Sequence, residues 1–504
     1  MVGRWDQLRF QHGHADQIDD ASKVYINRNL KLNTITHMGF DMDHTLAVYT
    51  LKAQELAFNL TRDKLVKDFK YPKEVSDLEF EDSLVIRGLV IDKKRGNLIK
   101  LDMHKYVEVA YHGLTEIPRE ERKELYNLPG ESYRPSSEDY AYLDTLFCLP
   151  EACLYVKLVD LLDSLSAEGK LKRKFDYQKI SSEVRQCIDG VHRDGSLKSV
   201  IIENLPLYIE KDPTLPKTLL HFIQGGKRLF LLTNSEYYYT NIIMTYLLND
   251  EVPGYDNWQD YFDFIIVSAC KPRFFLNSAD LEKLDIDEFG VEISQEVCPK
   301  VYRGGYFKNL EERLGVFGES ILYFGDHTFG DILKSKQTCG WRTVMVILEL
   351  EDEINILNAK RTDKDNLDML SANLTEIREE VSMLEAQITH MRNRKLDYYE
   401  DLVDSELEEL DQEMRSIRKV IASNEDKATE CLKDIKRLES ELDSSYNKMW
   451  GCLFKSRRRK SRFGDQVEDF ACLYTARITN FSNYPTTKYF RISHDSMAHE
   501  RHAD

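Results

Sequence analysis

The residues best suited to chemistry are Asp41-Met42-Asp43-His44-Thr45-Leu46, directly after the apolar run Ile35 to Phe40. Two carboxylates two residues apart in a turn can divide the work of a displacement at phosphorus. Asp41, at the end of the run, can act as a nucleophile and split the displacement into two steps through an acyl phosphate. Asp43, one turn position on, can give a proton to a leaving alkoxide and later take one from water. The pair needs a hard cation to hold phosphate oxygens and balance clustered negative charge, and Mg²⁺ suits that role. Standing alone, the same string reads equally well as an Asp-rich turn that caps the next segment.

Three further clusters accompany it. Thr233-Asn234-Ser235, after Leu229 to Leu232, offers a hydroxyl, an amide and backbone N–H groups at the start of a helical pattern, a setting that holds a phosphoryl group. Lys271, after Ile265 to Cys270, can offset charge that develops on phosphoryl oxygens. Gly325-Asp326-His327-Thr328-Phe329-Gly330-Asp331 closes the set, with Asp326 as a metal ligand and Asp331 orienting the metal's waters or Lys271. Each cluster has a plain structural reading as a cap, a snorkelling lysine or a turn. Four in this order, each at the end of a short apolar run, point to one site.

The elements that must position them follow from the same runs. Ile35 to Phe40, Arg228 to Leu232, Phe262 to Ala269, Ile321 to Phe324 and Val344 to Leu348 are too short for helices. They alternate with segments of helical period such as Ile242 to Leu248, which predicts an α/β fold with a parallel sheet covered on both faces. In such sheets ligands sit beyond the carboxyl ends of the strands, so the four clusters should converge. About 180 residues separate the first two strands, far more than a βα connection needs, and they predict an inserted cap. The expected organisation is a core of residues 1–50 and 195–350 and a cap of residues 51–194. The cap contains apolar runs at Ser83 to Ile86 and Leu98 to Leu101, the helical run Ala152 to Leu165, and a surface connection from Pro118 to Ser137.

Residues 351–450 form a Leu-rich, charged segment with apolar positions three and four apart. One seam is Leu367, Leu370, Leu374, Ile377, Val381, Leu384, Ile388 and Met391; a second runs from Leu407 to Leu442, with a break near Asn393 to Asp404. These heptads predict helices that fold back as a hairpin or pair between subunits. Residues 451–504 hold the basic run Lys455 to Arg462, either a solvated loop or an anion contact, and an aromatic tail expected to dock on the core.

Composition narrows the class. The 504 residues are 42% hydrophobic and 31% charged, which excludes a disordered chain. The net charge of −18 disfavours nucleic acid and anionic membranes as partners. There is no apolar run of about 20 residues to span a bilayer, and the first residues lack the pattern of a secretion signal. Nine scattered cysteines without a C-x-x-C pair suit a reducing, cytoplasmic setting.

The order Asp-x-Asp-x-Thr, apolar run then Thr, Lys, and Gly-Asp-x₄-Asp is similar to the haloacid dehalogenase superfamily of phosphohydrolases. The strings GFDMDHTLAVY, FLLTNSEYYYT, ACKPRFF and YFGDHTFGDILKSK resemble one branch of it, the cytosolic purine 5′-nucleotidases that prefer IMP and GMP. VYINRNL and VRQCIDGVHRDGSLK extend the likeness, which covers residues 24 to 350, more thinly the tail after 448, and least the heptad segment.

The resemblance implies a Rossmann-like core with an inserted cap, Mg²⁺ as cofactor, a purine nucleoside monophosphate as substrate, and a homo-oligomer, tetrameric in relatives. Asp41 would be phosphorylated in turnover, and Asp43 would be the acid/base, with its backbone carbonyl also on the metal; Asp326 would be the remaining ligand. Thr233, Asn234 and Lys271, with Ser235 beside them, would bind the phosphate. Purine recognition would fall to Arg185, Asp189, His192, Lys198 and Phe147. The chemistry agrees: an arginine can donate to O6 and N7 of hypoxanthine or guanine, as in DNA readout, and Asp189 can accept from N1–H. Arg185 and Asp189 also have the i, i+4 spacing of an ordinary helical ion pair. Departures from the pattern are His44 in place of a common tyrosine and Arg193 in place of an aromatic. Gln337 and Asp469 stand where basic residues serve a nucleotide effector, while Gln466 is retained, so activation by an adenine nucleotide does not carry over from the resemblance, and another effector, using Lys455 to Arg462, stays open. Phosphoryl transfer to a second nucleoside, a phosphoprotein substrate, and a helical scaffold with an inert core are the other readings.

Overall fold

The computed structural model describes residues 18–126, 138–171, 175–284, 300–397 and 403–492. The chain divides into two units, one of residues 1–354 and 453–504 and one of residues 355–452.

The first unit is built on a nine-stranded sheet. From one edge to the other its strands are Tyr25–Ile26, Leu473–Thr475, Arg342–Val346, Ile321–Gly325, His37–Phe40, Arg228–Leu232, Phe264–Val267, Val301–Gly304 and Leu281–Lys283. The two edge strands pair antiparallel, and all the inner pairings are parallel. The fold is therefore mixed α/β with a mostly parallel sheet, as the alternation of apolar runs and helical segments predicts. His37–Phe40, Phe264–Val267 and Ile321–Gly325 are buried at every position. Continuous apolar runs, rather than alternating ones, are what strands covered on both faces require. Gly39 is needed in the central strand, because a Cβ there would lie 2.1 Å from the Phe230 ring.

Register sets the site. Phe40 stands opposite Leu231 on one side and Phe324 on the other, so the three strands end level and release Asp41, Thr233 and Asp326 at one rim.

Two expectations shift. The last core strand is Arg342–Val346 rather than Val344 to Leu348. Thr343 is buried and its hydroxyl donates to Phe470 O, so a polar residue joins the strand while Leu348 leads into the next helix. The tail does more than cover the core: Leu473–Thr475 is an interior strand of the sheet. The basic run pairs Lys455–Ser456 with Arg459–Lys460 as two short strands.

Within residues 51–194 lie the helices Leu51–Asp68, Leu149–Ala167 and Tyr177–Arg193 and a five-stranded antiparallel sheet. Leu149–Ala167 is buried around most of its circumference, the pattern of a helix packed on several sides. Leu98 to Leu101 falls in a strand, whereas Ser83 to Ile86 overlaps the 3₁₀ turn Asp82–Leu84. Of the 118–137 connection, the residues up to Tyr126 are described and include the helix Arg119–Tyr126.

In the second unit, helices Arg361–Asp397 and Asp404–Tyr446 pack on each other through Leu374, Cys431 and Ile435. Lys395 and Asp411 pair at 2.7 Å near the end where the two helices connect. Part of the expected break, residues 398–402, lies outside the described residues. Among the described residues no helix is long and apolar enough to cross a membrane.

Candidate active site

Asp41 is the first residue beyond the central strand. Its N–H donates to Phe324 O at 2.9 Å, and the Met42 N–H donates to Asp41 Oδ1 at 2.8 Å, which fixes the carboxylate. The chain then turns tightly: Ala47 N–H donates to Met42 O and His44 N–H to Ala47 O, both at 2.8 Å. This turn brings Asp43 back toward Tyr49, whose hydroxyl donates to Oδ1 at 2.6 Å, while Ser235 Oγ donates to Oδ2 at 2.8 Å. The Tyr239 hydroxyl lies 3.1 Å from that of Tyr49 and completes the support.

Lys271 Nζ lies 2.9 Å from Asp41 and 2.7 Å from Asp331, and donates to the Tyr323 hydroxyl at 2.9 Å. Burial works against its charge, but Asp331 and Asp41 outweigh that and hold the ammonium above its usual range. Asn234 clamps this loop: its Oδ1 accepts from Lys271 N at 2.6 Å and its Nδ2 donates to Lys271 O at 3.1 Å. Asp326 Oδ2 accepts from Thr145 at 2.9 Å. Burial, and then Asp331, push its carboxyl up to about 6. Asp331 sits on a π-helical turn, Thr328–Leu333, and closes on the strand only because Gly325 has no side chain. A Cβ at Gly325 would lie 2.5 Å from that of Asp331.

Carboxylate oxygens of Asp41, Asp326 and Asp331 lie within 4.8 Å of one another, all buried. Burial drives the Asp41 carboxyl well above its ordinary range, with Lys271 opposing and the neighbouring aspartates reinforcing the rise. Lys271 and, behind Asp326, Arg87 (itself paired with Glu349) are the cations beside these three carboxylates, which leaves room for a further one, and an all-oxygen donor set fits Mg²⁺.

Beside this cluster opens a cavity of about 610 Å³. Asp43, His44, Phe147, Arg185, Asp189, His192, Arg193, Lys198, Asn234 and Ser235 are among its lining residues. A smaller space of about 140 Å³ is lined by Asp41, Lys271, Asp326 and Asp331. Asp43, Thr145, Phe147, Asn234 and His327 line both.

A family model described as the 5′ nucleotidase family matches residues 24–502. The chain belongs to the 5′ nucleotidase family. A 5′-nucleotidase domain-containing protein of Dictyostelium discoideum is 30% identical over 95% of this chain and 75% of its own length. The human 5′-nucleotidase domain-containing protein 2 is 27% identical over 95% of this chain and 85% of its own. Neither name specifies a purine. Solved structures that match 62% of the chain include a predicted phosphoglycolate phosphatase from Haemophilus somnus, at 15% identity over 85% of that chain with a TM-score of 0.27. A haloacid dehalogenase superfamily hydrolase from Geobacter sulfurreducens matches at 11% identity, 87% coverage of that chain and a TM-score of 0.24. With scores this low, the fold class of this 5′ nucleotidase family member stands on its own strand order.

The residues singled out from the sequence gather in two groups. Asp41, Asp326, Asp331 and Lys271 meet at the strand ends, with Asn234 behind the lysine. The Asp43 carboxylate faces Tyr49 and Ser235 rather than the other three. Thr233 is fully buried; its Oγ1 accepts from Ser235 N at 3.0 Å and it lines neither cavity. In the second group Arg185, Asp189 and His192 rise from helix Tyr177–Arg193 and Lys198 from helix Ser196–Glu203. Phe147 meets the edge of His192 at 5.7 Å and of His44 at 4.5 Å. Lys198 is paired with Glu236 at 2.6 Å.

The i, i+4 pairing of Arg185 with Asp189 is loose, at 3.8 Å; the tight partner is Glu151, at 2.6 Å. Burial pushes the Glu151 carboxyl up to about 7 although Arg185 opposes the rise. Glu151 and Thr145 lie in no motif, and Tyr49 and Tyr239, although inside GFDMDHTLAVY and FLLTNSEYYYT, gain their role only from the contacts they make with Asp43 and with each other. Only a buried acid inside an otherwise apolar run, as Glu151 stands in Leu149–Val156, leaves a trace.

Proposed function

We propose that this chain is a Mg²⁺-dependent 5′-nucleotidase that hydrolyses purine nucleoside monophosphates, IMP and GMP before AMP, through an aspartyl phosphate. The observation that carries the reading is a pair of adjoining cavities with five lining residues in common: Asp41, Lys271 and Asp326 line the smaller, Arg185, Asp189 and His192 line the larger, and Phe147 lines both. The size of the larger suits a small ligand.

Asp41 would attack phosphorus as the bond to O5′ breaks, and Asp43 would give O5′ its proton. Water would then attack the aspartyl phosphate, Asp43 would take a proton from it, and phosphate and free Asp41 would be regenerated. Lys271 offsets charge on the phosphoryl oxygens throughout. Mg²⁺ held by Asp41, Asp326 and the Asp43 carbonyl supplies Lewis-acid stabilisation of that charge when bound. Asp331 holds Lys271 in place. Arg185 would donate to O6 and N7, and Asp189 would accept from N1–H and the 2-amino group of guanine; adenine lacks the N1–H and presents a donor at position 6. Phe147 and His192 would pack on the base.

The test is a panel of IMP, GMP, AMP and phosphopeptides with and without Mg²⁺, run on the wild type and Asp41→Asn. Turnover of IMP and GMP that needs Mg²⁺ and falls on the order of 10³-fold or more in folded Asp41→Asn is expected. Preference for phosphopeptides, or undiminished turnover in the variant, would overturn the reading. Added inosine or guanosine shows whether the phosphoryl group also passes to a nucleoside.

A further inference from the structure

Arg87 has a fully buried side chain, and its guanidinium is committed on three sides. Nη1 donates to the backbone O of Asp326 at 2.9 Å. Nε and Nη2 donate to the two oxygens of Glu349, the first at 3.0 Å. The guanidinium carbon also sits 5.2 Å from the centre of the Phe463 ring. Burying a guanidinium is costly unless its donors are paired, and Glu349 alone would satisfy one edge of the fork. The remaining edge is spent on the main chain of a residue in the carboxylate cluster.

A second residue from residues 51–194 grips the same aspartate. Thr145 Oγ1 donates to Asp326 Oδ2 at 2.9 Å, which sets the rotation of the carboxylate as Arg87 sets its backbone. Asp326 stands at the open end of Ile321–Gly325, where the ladder of the sheet no longer holds it. These two bonds, with the looser 3.9 Å approach of Arg87 Nη1 to Asp326 Oδ2, help to hold it there.

We infer that Arg87 is a positioning residue for the metal site: it acts through Asp326, with Thr145, to set how tightly the carboxylate cluster binds a divalent cation. The ion site is then complete only when the segment that carries Arg87 and Thr145 is seated over the strand ends. This inference rests on the phosphohydrolase reading above. Partners that orient ligands in this way commonly change metal affinity by about 10–100-fold when removed.

The experiment measures Mn²⁺ binding to the full chain by loss of the free-ion paramagnetic resonance signal, alongside the Mg²⁺ dependence of IMP turnover. Arg87→Met should weaken Mn²⁺ binding about tenfold or more and raise the Mg²⁺ needed for half-maximal turnover by a like factor. KM for IMP at saturating Mg²⁺ should move much less. Arg87→Lys, which keeps the charge and one donor toward Asp326 O, should recover part of the loss. Thr145→Val, nearly isosteric, should weaken binding by a smaller factor. A folded Arg87→Met that binds Mn²⁺ within about twofold of the wild type would overturn the inference. Should Arg87→Met fail to fold, unchanged Mn²⁺ affinity in both Thr145→Val and Glu349→Gln would overturn it equally. A wild type that neither binds Mn²⁺ nor turns over with Mg²⁺ would instead sink the functional reading, so the two failures are distinct.

Discussion

Glu151 shows how much a single buried acid can decide. Its carboxyl, ordinarily near 4.5, lies at about 7 in the folded chain because burial outweighs the attraction of Arg185. Between those values the folded state holds the proton and the unfolded state does not. The stabilisation is full below about pH 4.5 and is lost as the pH rises through 7, a change of roughly 3 kcal/mol. Glu151→Gln should remove that part of the slope. Thermal unfolding followed from pH 5 to pH 8 should show a flatter dependence in the variant; parallel curves would mean that Glu151 is ionised throughout. The aspartate pair, the lysine and the Gly-Asp-x₄-Asp string were legible because each is a local pattern at the end of an apolar run. Glu151 and Arg87 were not, because their worth lies in partners brought up by other elements. Arg87 and Asp326 are 239 positions apart.

At the scale of elements, the junction between the strand Ile321–Gly325 and the π-helical turn after it is the tightest part of the site. Gly325→Ala would place a methyl 2.5 Å from Asp331 Cβ and 2.7 Å from its Cγ. The turn must then move and loosen the contact of Asp331 with Lys271. We expect turnover to fall about tenfold or more with the fold retained, a loss of alignment rather than of stability. Activity beside circular dichroism checks it. The helical hairpin answers to a different test. Ile435 is 2% exposed between the two long helices, and Ile435→Asn buries an amide without a partner there. A loss of roughly 2–4 kcal/mol should appear as faster amide exchange confined to residues 361–446. The heptads announced these helices correctly because the 3.6-residue period is a property of the chain alone. Strand limits were less legible: Thr343 extends a strand backward by bonding to Phe470 O, a contact no local pattern contains.

For the molecule as a whole, the C-terminal part of the described chain belongs to the sheet rather than being an appendage. Leu473–Thr475 lies between Tyr25–Ile26 and Arg342–Val346, and Phe481 packs among Phe222, Phe324 and Phe490. A chain ending at Cys452 would leave Arg342–Val346 as an open, apolar edge, which invites association. It should aggregate or melt far lower than the full chain; a monomeric product with an unchanged melting temperature would show that the tail is dispensable. Amino-acid order by itself determined the α/β class, the placing of the four reactive clusters after short apolar runs and the presence of the long helices, since periodicity and turn chemistry are local. Only the tertiary structure decided that Asp331 joins Asp41 and Asp326, that Tyr49 and Ser235 hold Asp43, and that Arg87 backs the cluster. Those contacts follow from setting His37–Phe40 between Arg228–Leu232 and Ile321–Gly325, an order of strands that depends on the packing of the whole chain.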